Sequence, residues 1–383
     1  MWQGVAQATA IMRGGARPLG QADISRLIDF SRITLIVGLV FLHYERYPNA
    51  TLSPFRGMDP AQPGIATFVN SFVLFFFFSV VPLLSLISGW LFFSFTERPF
   101  EALSARVRRR FVSLYLPLIR WNAFYLGLML LVVGSDPAHP LAAELNIDFT
   151  SAGPMDYVNA VFGISHHPIG FQFWFVRDLF VTALVSPLLY LMLRHVAIIG
   201  AVVLGACWLR GFDLWVFFRS DVVFFFYLGG LVRMRGFALE IGPRVAFGVM
   251  AFYLMLVAVR TLAPYVIDGD PFWLQAATRS MRLVGVAACW GIFQQIAFTD
   301  LGGRIARYGG LAFFLHAAHF PLLAAVKIVL WQWVPSPSQF WMLAHYAASV
   351  AVTVLLCVCL AFALARGLPQ LFAYLNGGRL ALR

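Results

Sequence analysis

Ten stretches of this chain are predominantly apolar and dominated by Leu and Phe, at 27–46, 68–95, 111–133, 172–193, 196–209, 215–232, 245–263, 281–298, 309–333 and 340–365. A helix needs about 20 mainly apolar residues to cross a bilayer. All but the fifth stretch, which is short and reads as tilted or partly interfacial, approach or exceed that length. The pattern predicts an all-α, polytopic membrane helix bundle of about ten transmembrane helices. Composition leaves little room for anything else. Hydrophobic residues make up 61% and charged residues 12% of the 383, against roughly 45–50% and about 25% in soluble domains. A soluble chain of this size could not cover its surface with so few charges. The same arithmetic excludes a disulfide scaffold, a disordered chain and a nucleic-acid-binding domain. The net charge of +11 comes from arginines between the apolar runs, with Lys327 the only lysine.

Loop charges set the expected orientation, because cytoplasmic loops carry excess Arg and Lys. With the N terminus inside, seventeen arginines fall on inner segments, Arg13, Arg17 and Arg383 among them, and seven on outer ones, including Arg260 and Arg282. Both termini are therefore expected in the cytoplasm. The division is a cytoplasmic arm at 1–26, a transmembrane domain at 27–365 and a cytoplasmic tail at 366–383. The largest outer loop, 134–171, is long enough to fold over an outward-facing site. Cys207, Cys289, Cys357 and Cys359 lie in apolar runs without metal-ligand spacing, and no metal site is expected.

Ionisable groups inside a span cost about 2.5–3.5 kcal/mol each on insertion scales, so they need a reason to be there. Four places stand out: Arg32 with His43, Arg120, Arg177 with Asp178, and His316 with His319. Eleven helical steps separate Arg32 from His43, about 20° past three full turns and ~16 Å of rise, so both share one helix face. Asp29 lies one turn before Arg32 and can pair with it. His43 reads either as a proton acceptor near neutral pH or as an interfacial histidine beside Tyr44, with Arg32 snorkelling.

Four segments then fall into a recognisable order. Ile28-Asp29-Phe30-Ser31-Arg32, continued to His43, resembles the opening helix of the acyltransferase-3 family of integral-membrane O-acyltransferases, in which an Arg, ten residues and a His recur. Leu86-Ile87-Ser88-Gly89-Trp90-Leu91, after a Phe run, is similar to that family's second-helix segment. Phe173-Trp174-Phe175-Val176-Arg177-Asp178-Leu179 resembles its Trp-aromatic-x-Arg segment. Phe313 to Leu322, with His319 and Pro321, resembles its Phe-Phe…His-x-Pro segment. His316 stands where the family more often has an aromatic residue, so only His319 is carried over. The chain ends at Arg383, too soon for the esterase-like domain that many members carry, and the expected likeness is to the stand-alone, polysaccharide-modifying type.

The resemblance implies roles. His43 would be the base that deprotonates an acceptor hydroxyl, with Arg32 and His319 beside it as catalytic groups. Arg177, Trp174 and Asp29 would meet substrate. The lesser alternative for Arg177 is an ion pair tying helices together, although neighbours in a helix do not face each other and a pair with Asp178 is not assumed. Trp174 is either an interfacial anchor or a stacking platform for a sugar. Ser88-Gly89 reads as a close-packing site, and His166-His167 as solvated or acceptor-contacting. Arg106, Arg108, Arg109 and Arg110 serve topology and anionic lipid or grip the phosphates of an acyl-CoA.

The implied reaction moves an acyl group, acetyl first, from a cytoplasmic acyl-CoA co-substrate to a sugar hydroxyl of an exported or lipid-linked polysaccharide at a bacterial inner membrane. No permanently bound cofactor and no nucleic acid enter. The expected partners are the lipid bilayer, the saccharide acceptor and polysaccharide export or polymerisation machinery. Arg32, His43, Arg177 and His319 are expected to line one polar passage through the bundle. The competing readings are a flippase of lipid-linked saccharides and a structural subunit of an export complex.

Overall fold

The computed structural model describes residues 19–95, 97–136 and 139–379. Arg13, Arg17 and Arg383 lie outside the described residues, so their share of the orientation argument is untouched. All regular structure among the described residues is helical. In chain order the helices are α1 (Gln21–His43), α2 (Ile65–Phe77), α3 (Val80–Phe92), α4 (Pro99–Arg110), α5 (Leu116–Ser135), the single turn α6 (Pro140–Ala143), α7 (Pro154–Phe162), α8 (Trp174–Leu184), α9 (Ser186–His195), α10 (Ala197–Arg210), α11 (Asp221–Arg235), α12 (Pro243–Leu262), α13 (Phe272–Ala297), α14 (Asp300–Ala306), α15 (Ala312–Trp331), α16 (Gln339–Gly367) and α17 (Pro369–Leu375).

Each predicted stretch is helical, but not each is a span in its own right. Five helical runs are long and apolar enough to cross a bilayer: Ile65–Phe92, Pro99–Ser135, Pro243–Tyr265, Asp300–Trp331 and Gln339–Gly367. α8 and α9, bent by 61° at their junction, make a sixth when taken together. The remaining stretches form helices that are short, as in α10 and α11, or that carry ionisable residues along their length, as in α1 and α13. α1 shows why this works. Its residues Leu27, Phe30, Ser31, Leu35, Ile36, Leu39 and Val40 are buried on most sides of the helix, where α2, α3, α13, α14 and α15 surround it. A helix enclosed by protein need not be apolar enough for lipid. The lipid-facing task falls to outer helices, which expose Leu131, Val202, Val259 and Leu355.

Small residues let two helices touch. A Cβ on Gly89 of α3 would sit 1.9 Å from the Phe226 carbonyl oxygen, and one on Gly229 of α11 would sit 2.0 Å from that of Leu86. The expected close-packing role of Gly89 is thus met by α11. α15 is broken instead of straight. Phe320 leaves helical geometry at φ −125° and ψ 131°, directly before Pro321, whose ring and missing N–H interrupt a helix. The carbonyls freed by the break are taken by side chains. Tyr125 Oη and Gln172 Nε2 donate to Ala317 O at 2.7 and 2.8 Å, and Gln172 Nε2 donates to Phe320 O at 2.9 Å. Non-helical backbone at membrane depth is tolerated only with such partners.

Both described chain ends sit at one end of the bundle. Leu19 N donates to Glu240, Arg26 to Thr299 O, Asn376 to Gly310 O and Arg379 to Ser113 O. Arg260 and Arg282, counted above as outer-loop charges, lie instead inside α12 and α13, each 6% exposed. Arg260 reaches Thr278 and Arg56 O at 2.7 Å, and Arg282 pairs with Asp221. They are buried because each has a partner to repay its lost hydration.

Candidate active site

α1 ends at His43, and α15 breaks one residue after His319, so a helix terminus and a helix break meet in the core. His43 Nδ1 lies 2.7 Å from His319 Nε2, and the two rings meet edge to edge, 5.0 Å between centroids and 14° between their planes. His319 is 0% and His43 7% exposed. The hydrogens follow from one carbonyl. His319 Nδ1 is 3.1 Å from Leu315 O, one turn back in its own helix. A carbonyl only accepts, so His319 Nδ1 carries the hydrogen and its Nε2 keeps a lone pair. His43 Nδ1 must then donate to that Nε2, which leaves His43 Nε2 as the free lone pair of the dyad. A second group that fixes the tautomer and aim of an imidazole is what a general base requires. The ring of Phe171, just before α8, lies edge-on to His43 at 5.4 Å.

A cavity of about 380 Å³ lies between α1, α3, α8 and the segment 309–316. Its wall carries three guanidinium groups, Arg32, Arg110 and Arg379, and one carboxylate, Asp29. Asp29 stands 3.9 Å from Arg32, one helical turn away as the spacing predicts, and both side chains stay half-exposed. Arg110 donates to Ser88 Oγ at 2.6 Å, so Ser88 faces the cavity while Gly89 does the packing. Arg379 lies over the Phe313 ring at 4.9 Å; burial, then the nearby Arg32 charge, draws it down to about 10, still a cation at neutral pH. Three cations against one anion in a low-dielectric recess attract a polyanionic ligand.

The expected single passage is not what forms. Arg32 is in the cavity wall, but the wall ends at His316, and His43 and His319 lie beyond it. The rings of Phe173 and Phe175 stand edge-on to His316 at 5.9 and 6.3 Å. Arg177 faces elsewhere. Its Nε donates to Gly163 O at 3.0 Å, its Nη2 to Ile164 O at 2.8 Å, and its Nη1 to both Asp178 and Val216 O. The Arg177–Asp178 pair, at 2.9 Å, forms despite adjacency in sequence. Both side chains reach past the start of α8 to the same loop, where Asp178 also accepts from the backbone of Phe218 and Arg219. Trp174 is no open platform: it is 5% exposed, and Arg219 lies over its ring at 5.2 Å.

The four-arginine cluster divides by helix phase. Arg106 turns back to the terminal carbonyls Leu91 O and Phe92 O of α3, a C-terminal cap of the kind a cation makes. Arg108 and Arg109 are exposed along an open groove beside Glu101. Only Arg110 enters the cavity. Arg120 donates to Tyr374 O at 2.7 Å and stacks on the Tyr374 ring, holding α17 in place. His166 stays exposed, and His167 packs on Phe218 at 4.4 Å. Two cavity residues were given no role by the sequence reading. His316 was noted beside His319 but set aside, because the resemblance places an aromatic residue there; its place in the cavity wall comes from the structure. Arg379 had no signal at all, since it follows the last apolar run and reaches the cavity only because α17 docks against α5 and α15.

An acyltransferase-domain family, acyltransferase-3, matches residues 26–362. The chain is also 27% identical over 366 residues to the succinoglycan biosynthesis protein ExoH of Rhizobium meliloti (strain 1021), covering 94% of this chain and 93% of that one. No solved structure matches it. Since the match runs from the helix that carries Arg32 and His43 to the last long apolar helix, the chain belongs to the acyltransferase-3 family and is a membrane-embedded O-acyltransferase.

Proposed function

We propose that the protein transfers an acyl group, acetyl first, from a coenzyme A thioester to a hydroxyl of an exported or lipid-linked polysaccharide at a bacterial inner membrane. The observation that carries this reading is the cavity bearing Arg32, Arg110 and Arg379, whose far wall stands next to the His43–His319 dyad. The guanidinium forks receive donor phosphates, for which arginine is suited by geometry. Asp29 orients Arg32. The arginine-rich end, where both described chain ends lie, faces the cytoplasm and its acyl-CoA. Relatedness to a protein named for succinoglycan biosynthesis favours a saccharide acceptor.

In the reaction the acceptor oxygen attacks the thioester carbonyl carbon as His43 Nε2 takes the hydroxyl proton. The carbon–sulfur bond then breaks, and the sulfur leaves with the proton returned by His43. Ester and thiol are the products. His319 holds the His43 tautomer throughout and exchanges no proton with substrate. Arg177 and Asp178 act at a distance by fixing the loops against α8.

Mass analysis of polysaccharide from a deletion strain tests the proposal. Polymer of normal length that lacks one acyl substituent, restored by the wild-type gene and not by His43→Ala, is the expected result. Loss of the polymer itself would mark a transporter and overturn the reading.

A further inference from the structure

His316 is the one group at the boundary between cavity and dyad that the mechanism above does not use. It lies in the cavity wall and is 3% exposed. Its ring is 5.8 Å from that of His319 and is held edge-on by Phe173 and Phe175. Neither of its ring nitrogens makes a well-formed hydrogen bond, although the Gln172 backbone lies beside the ring. A buried imidazole without a well-formed hydrogen bond is unfavourable, so its place at the end of a ligand-sized cavity points to a ligand atom there. A neutral imidazole offers one N–H donor and one acceptor.

We propose that His316 is a further catalytic residue, whose ring N–H donates a hydrogen bond to the acyl carbonyl oxygen of the donor and holds the negative charge that oxygen gains during attack. The inference rests on the acyl-donor reading above. His316 sits between the two halves of the chemistry, with the donor cavity on one face and the His43–His319 dyad past the other. A carbonyl bound to it is therefore placed where donor and acceptor meet. The ring neither gains nor loses a proton in the step. It supplies a fixed dipole where charge develops, in a site shielded from water.

The assignment separates activity from stability. His316→Phe removes the donor and keeps an aromatic ring among Phe173 and Phe175, whereas His316→Gln keeps an N–H donor. Membranes carrying each full-length variant are supplied with radiolabelled acetyl-CoA, and label in the extracted polysaccharide is followed. The purified proteins are compared by thermal unfolding. His316→Phe should lose roughly 10²–10³-fold in kcat, as removal of one oxyanion donor does, with KM for acetyl-CoA little changed. Its melting temperature should equal or exceed that of wild type, because a buried unpartnered polar group has been removed. His316→Gln should recover part of kcat. Wild-type kcat in His316→Phe overturns the inference, and so does a loss of kcat that tracks a lower melting temperature and is not relieved in His316→Gln. No label transferred by wild type overturns the acetyl-CoA reading itself, a different result from an active wild type with an active His316→Phe.

Discussion

Two buried arginines show how this bundle uses charge. Arg177 spends four of its N–H groups on Gly163 O, Ile164 O, Val216 O and Asp178, and its guanidinium lies over the Phe218 ring at 4.4 Å. Arg32 has Asp29 at 3.9 Å and otherwise faces a cavity with two more guanidiniums. Both sit in apolar helices and both belong to sequence motifs, yet the first is satisfied by its own chain and the second is not. An arginine whose donors are used up holds structure in place; one left with free donors in a recess awaits a ligand. The histidines divide the same way. His345 is tied between Tyr44 Oη and Lys327 O, His319 is spent on Leu315 O and His43, and His316 makes no well-formed hydrogen bond.

The contrast can be broken in a graded series. The largest effect should come from His43→Ala, which removes the free lone pair of the dyad. Transfer should fall on the order of 10²–10⁴-fold, the range of general-base catalysis, while membrane insertion and yield stay near wild type; assays of labelled polysaccharide beside quantified membranes check both. Arg177→Ala should do the reverse. Leaving Asp178 buried and unpaired costs about 3–5 kcal/mol, so the protein should unfold at lower temperature or be degraded, and any folded fraction should keep its KM for acyl-CoA. A stable but inactive Arg177→Ala would move this residue to the ligand side of the comparison.

Arg32→Lys keeps a charge in the cavity and loses the planar fork. Transfer should drop about tenfold or more, the worth of one charge-assisted hydrogen bond, with little change in melting temperature. Equal rates for Arg32→Lys and wild type would reduce Arg32 to a simple cation. Arg379→Ala should raise KM for acyl-CoA about two- to fivefold, as a part-exposed ion pair is worth. The effect should fade in high salt and vanish with a pantetheine thioester that lacks the nucleotide phosphates.

The smallest effect concerns pH. His167, in the segment between α7 and α8, is held below its ordinary value by burial and then by the charges of Arg219, Arg177 and His166. Its folded form resists protonation, so its contribution to stability is complete above the ordinary value of 6.5 and is lost as pH falls below 6.5 towards the lower folded-state value. Backbone hydrogen exchange across 159–170 should be faster at about pH 5.5 than at about pH 7.5. Identical exchange at both would mean that the loop does not depend on neutral His167.

Period and composition were enough for the helical class. The apolar runs became helical because a backbone in lipid must satisfy its own hydrogen bonds, and that rule can be read without tertiary structure; the breaks inside runs 68–95 and 172–193 and the helices outside the runs, α4 and α7, could not be read this way. Which helices meet lipid could not be read the same way: α1 and α13 carry charges because other helices enclose them. The register of Arg32 and Asp29 on α1 was also legible, since 3.6-residue periodicity fixes which side chains share a face.

Partnership between distant segments was not. The sequence could place His43 and His319 in matching motifs, but the 2.7 Å contact between them exists only because α15 breaks at Pro321 beside the end of α1. The run of Arg106, Arg108, Arg109 and Arg110 looked like one cluster, and helix phase with the position of α3 sent its members to three different tasks. Arg379 was silent in the sequence because nothing local marks a tail residue that enters a cavity. The sequence by itself determined the membrane class, the helices and the residues able to do chemistry, because those depend on local periodicity and transfer energy. The tertiary structure alone decided which of those residues have their hydrogen-bonding capacity used up and which keep it for substrate, because satisfaction depends on groups that approach from elsewhere in the chain.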